Sequence, residues 1–117
     1  MNVKISTVVF AAVLVLVASA PAHAAKTYTP AQLRQMVNSG NPPKQGSPST
    51  QKQNMSFSSC VSKVSGIVAS VRDQYPAKTI VNTSILHMAK VWTNDAAMTL
   101  TCSRPDRTLV ITTAKYL

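Results

Sequence analysis

The chain predicts an α+β fold. One amphipathic helix packs on a three- to four-stranded antiparallel sheet, in the order β-α-β-β-β, as a two-layer sandwich with a single disulfide. Three observations predict it. Cys60, Val61, Val64, Ile67, Val68 and Val71 recur at three- and four-residue intervals, which lines them along one stripe of a helix. Met98, Leu100 and Cys102 alternate with Thr99, Thr101 and Ser103, the two-residue period of a half-buried strand. The two cysteines of the chain, Cys60 and Cys102, fall one on each pattern, facing the layer between helix and sheet.

The amino terminus reads as an export signal. Lys4 charges a short leading region, Ile5 to Ala20 is apolar, and Ala22-His23-Ala24 offers the small residues a signal peptidase accepts. The apolar run is shorter than the roughly 20 residues that span a bilayer, so no transmembrane segment is expected. Residues 1–24 are therefore assigned as a signal peptide cleaved near Ala24, leaving a periplasmic or secreted protein. Its removal takes away Lys4 alone, so 11 basic residues face Asp73, Asp95 and Asp106, a net of +8.

Residues 25–40 form a short helical segment. Thr29 and Gln32 make a capping box, Pro30 sits at the first helical position, and Gly40 followed by Pro42-Pro43 stops the helix. About ten residues are too few for a stable isolated helix. Residues 41–54, "NPPKQGSPSTQKQN", carry no large apolar residue and read as a Pro/Ser/Gln-rich linker. The compact domain is placed at residues 55–117. "NMSFS" is its short first strand, and Ser58 or Ser59 caps a helix that runs to about Tyr75, before Pro76. Gly66 interrupts that helix, and close approach to the sheet is the expected reason. Two strands follow in "KTIVNTSILHMAKVWTND" and "AAMTLTCS". "RPDR" turns the chain, and "TLVITTAKY" is the return strand.

A Cys60–Cys102 bridge is the default for an exported domain with one pair of cysteines. Closing a loop of about 42 residues is worth about 4 kcal/mol in the chain-entropy model. No C-x-x-C pair marks a redox site. With His87 the one histidine after cleavage, too few ligands remain for zinc, and no metal or cofactor is expected. The chain contains no Glu. Asp95 and Asp106 flank one strand and lie about 25 Å apart, too far for acid/base pairing. His87 is expected on a strand face with Ile85, Ala89 and Val91. No catalytic residue is assigned.

Binding is the class that remains. Trp92 at a strand end and Arg104 and Arg107 in the RPDR turn are residue types that interfaces favour. One helix covers one face of the sheet, which leaves Thr99, Thr101, Ser103, Val110 and Thr112 open, together with a sheet edge suited to strand addition or homodimerisation. The expectation is a small exported, non-catalytic protein-binding protein of the cell envelope, an inhibitor, immunity or accessory protein. The alternative is a secreted cationic effector or a protein that binds anionic envelope lipid or polysaccharide through its net charge. An enzyme with an unrecognised site is the third class. The cations are scattered and aromatics are few, which disfavours nucleic acid.

Overall fold

The computed structural model describes residues 26–117, so the signal-peptide assignment lies outside the described residues. Two helices and five strands follow one another: α1 (Pro30–Asn38), β1 (Gln45–Asn54), α2 (Phe57–Arg72), β2 (Ala77–Asn82), β3 (Leu86–Trp92), β4 (Ala96–Ser103) and β5 (Thr108–Tyr116). The strands form one antiparallel sheet in the order β1-β5-β4-β3-β2. The α+β class holds, but the strand count is five rather than three to four.

The additional strand lies where a linker was expected. Residues 45–54 pair with β5, continuously from Pro48↔Ala114 to Asn54↔Thr108 after an irregularity between Gln45 and Pro48. Nearly every β1 side chain is exposed, so no apolar alternation marks the strand. Its backbone pairing to β5 holds it, and it sits at the sheet edge, where a proline next to a bulge is tolerated. The short strand expected at "NMSFS" does not form. Met55 follows β1, and Ser56, not Ser58 or Ser59, caps α2 by accepting from the Ser59 N–H at 3.2 Å.

α2 crosses one face of the sheet and buries Cys60, Val64 and Val68 against Ala89, Val91, Leu100, Cys102 and Leu109. The stripe predicted from sequence is the one buried. Cys60 and Cys102 are bonded, their Cα atoms 5.8 Å apart and 42 positions apart in sequence. The bridge ties the first turn of α2 to β4. Close approach to the sheet, the reason expected for Gly66, is not found. Gly66 is exposed, and a Cβ there would meet nothing within 4 Å, so close packing does not account for it.

α1 docks on the opposite face. Leu33 and Val37 pack with Trp92, Ala97 and Tyr116, with Tyr28 and Tyr75 alongside. Two bonds to backbone carbonyls fix this placement, and a capping box orders the helix start itself. The Tyr28 N–H donates to the Asn94 carbonyl at 2.9 Å, Arg34 Nη2 donates to the Gln74 carbonyl at 2.6 Å, and the capping box of Thr29 and Gln32 closes the first turn. At the other end, the N–H groups of Gly40 and Asn41 reach the carbonyls of Val37 and Met36, with Gly40 at φ +82°. That is a Schellman stop, which a left-handed glycine permits. The fold is thus a sheet with one long helix on one face and one short helix over one end of the other.

Candidate functional site

Registers locate the residues singled out from sequence. Thr99 lies opposite Thr112, and Thr101 opposite Val110, on the face that α2 leaves open. All three threonines are half-buried rather than fully exposed. Trp92 shares this face but sits beneath α1, 6% exposed, with its indole N–H lacking a hydrogen-bond partner. It is a core residue of the α1 contact. Tyr116 lies beside it, its hydroxyl donating to the carbonyls of Thr93 at 2.7 Å and Ala96 at 3.0 Å. Burial, with the nearby Asp95 charge, pushes the Tyr116 phenol well above its ordinary range. His87 is buried with Ala89 and Val91, and its Nδ1 lies 3.3 Å from Asn82 Oδ1. Ile85, expected on the same side, is instead in the β2–β3 loop and 56% exposed.

Arg104 and Arg107 lie at the sheet end remote from α1. The Arg104 guanidinium stacks 4.4 Å from the Phe57 ring centroid, and its Nε donates to the Ser84 carbonyl at 2.6 Å. The Arg104 N–H also reaches the Ile85 carbonyl at 2.9 Å. These contacts stitch the β4–β5 turn to the β2–β3 loop and to the first residue of α2. Asp106 is committed within its own turn, accepting from the Ser103 hydroxyl at 2.9 Å. Arg107 adopts φ +51°, a left-handed conformation that costs a non-glycine residue about 1 kcal/mol or more. Its carbonyl accepts from the Met55 N–H at 2.9 Å. A shallow pocket of about 420 Å³ opens here, lined by Asn54, Met55, Asp106 and Arg107.

Two residues missed from sequence join this end. Ile80 and Ile85 are 52% and 56% exposed, and both belong to the β2–β3 hairpin. Ile80 sits at the irregularity between Thr79 and Val81, which breaks the alternation that would otherwise have sent it to one face. The structure therefore sets Arg104 beside the loop of Ile85, through its bonds to the Ser84 and Ile85 carbonyls, while Arg107 sits on the β1 side with Asn54 and Met55. It leaves Thr99, Thr101 and Thr112 on the open face and Trp92 in the core.

No protein-family model matches the chain, and no curated protein or solved structure matches it either. Among the described residues, no group of three or more His, Cys, Asp or Glu side chains is placed to hold a metal ion. No described helix is long and apolar enough to cross a membrane.

Proposed function

We propose that this is an exported, non-catalytic binding protein of the cell envelope that engages a protein partner through the hairpin end of its sheet. One observation carries the reading: an exposed isoleucine, Ile85, beside an arginine already held in place by a ring and a carbonyl. An apolar anchor beside an arginine is the composition of interface hot spots. Fixing Arg104 before association spares about 0.5–1.5 kcal/mol of side-chain ordering when the partner arrives. The disulfide suits an oxidising compartment. Inhibitor, immunity or accessory roles all need a small rigid scaffold that presents such a patch.

The test is affinity capture from the source envelope fraction with wild-type protein and with Ile85→Asp, at low and high salt. A charge placed on an apolar anchor should weaken retention about tenfold or more, and retention by the wild type should survive high salt. Equal retention by both proteins refutes the hairpin-end interface. Retention by the wild type that vanishes in salt favours the cationic alternative.

A further inference from the structure

We propose that the open face carries a second binding site, a shallow trough along the foot of α1 that takes a linear anionic polysaccharide. The registers define it. Lys78 lies opposite Lys90, Lys90 opposite Thr99, Thr99 opposite Thr112, and Thr112 opposite Thr50. The row crosses all five strands, about 19 Å at the usual strand spacing. One pleat away, Trp92 and Ala97 form the row that α1 covers, so the helix walls one side of the trough. The opposite side continues flat through Met88, Thr101, Val110 and Lys52.

Charge points to the occupant. Two lysines directly opposite one another on adjacent strands repel, and an anion bound between them would relieve that repulsion. The protein supplies no carboxylate for the purpose. No acidic residue occupies a strand, Asp73 caps α2 on the other face, Asp95 belongs to the β3–β4 turn beyond the row that α1 covers, and Asp106 is bonded to Ser103 at the far end. Lys90 is steadied 5.5 Å above the Trp92 ring, which holds its ammonium at the foot of the helix.

Three hydroxyls continue the row beyond the two ammonium groups, one per strand, matching a chain of hydroxyl-rich units that carries anionic groups. A second copy packed through this face would bring no carboxylate to the two lysines, because no acidic residue lies on a strand. Nucleic acid would need exposed aromatics to stack on, and on this face Trp92 and Tyr116 are buried while Tyr28 and Tyr75 are half-buried against them. The site is independent of the hairpin end, and the two together would let the protein hold an envelope polymer while engaging a protein.

The test is a ¹⁵N NMR titration of the oxidised protein with polygalacturonate, with neutral dextran and duplex DNA as comparison ligands. Amide shifts should centre on Lys78, Lys90, Thr99, Thr112 and Thr50. The Lys78→Gln/Lys90→Gln variant, which retains the wild-type spectrum when free, should bind at least about tenfold more weakly, while Arg104→Gln/Arg107→Gln should bind as the wild type does. Dextran should cause no shifts. The proposal is overturned if the shifts centre on the hairpin end or spread over the surface. It is equally overturned if the lysine variant keeps its affinity, or if DNA shifts the same row with equal affinity.

Discussion

Replacing Leu33 with alanine tests how the short helix is held. Leu33 is fully buried between α1 and the sheet, against the cluster of Trp92, Ala97 and Tyr116. Truncating a buried leucine to alanine costs about 2–5 kcal/mol. Apart from Leu33, α1 buries only Val37, worth about 1.5–3 kcal/mol, and donates through Arg34 and the Tyr28 N–H at about 1 kcal/mol each. A nine-residue helix has no stability of its own to fall back on. The loss is therefore of the same size as the rest of the anchoring, and α1 should undock while the disulfide-tied α2 and sheet stay folded. Trp92, the one tryptophan of the chain, reports this directly. Its emission should shift to the red and become open to acrylamide quenching in Leu33→Ala, with a small loss of helical circular dichroism and little change in the remaining amide spectrum. Unchanged Trp92 emission and quenching would refute the docking of α1, as would cooperative loss of the whole fold.

Three further outcomes follow from the same structure. Replacing both cysteines by alanine should lower stability by about 4 kcal/mol in urea denaturation, because the bridge closes 42 positions of chain; a loss below about 1 kcal/mol would contradict that role. Gly66→Ala should raise stability by about 0.5–1 kcal/mol, since the position is helical, exposed and open to a Cβ; destabilisation would reveal a constraint not visible in its surroundings. The raised Tyr116 phenol sets a pH dependence. The unfolded chain loses that proton near pH 10 while the folded chain keeps it, so this contribution is complete below pH 10 and falls as pH rises further, by up to about 1.4 kcal/mol per unit. Tyr116→Phe should be about 1–2 kcal/mol less stable at neutral pH, with a shallower alkaline slope; parallel alkaline slopes for the two proteins would contradict the assignment.

The parts legible in the sequence were those where burial imposes a period. The stripe of α2, the alternation of β4 and the bridge between their two cysteines all face one core, so each residue type reports its side. β1 gave no such signal. Its side chains are solvated, its pairing is made by backbone groups that every residue possesses, and Pro, Ser and Gln in that setting look like a linker. The helix α1 was readable from its caps, but its docking was not, because the partners Trp92, Ala97 and Tyr116 arrive from three different strands. Its presence on the open face also changes what that face can do, since it turns a flat sheet into a walled row. In the sequence, residue type alone marks Arg104 and Arg107. What distinguishes Arg104 is the Phe57 ring and the Ser84 carbonyl, contacts separated from it by 47 and 20 positions. Alternation carried back from β3 puts Ile85 on the His87 face, but the strand begins at Leu86 and Ile85 belongs to the loop.

The central claim is that the hairpin end meets a protein, and site-specific photo-crosslinking in the native envelope tests it most directly. A photoreactive residue at Ile85 should yield one discrete protein adduct, absent when the same residue stands at Thr99 on the open face. Adducts of equal yield from both positions, or none from Ile85 under conditions where Thr99 crosslinks to protein, would contradict it.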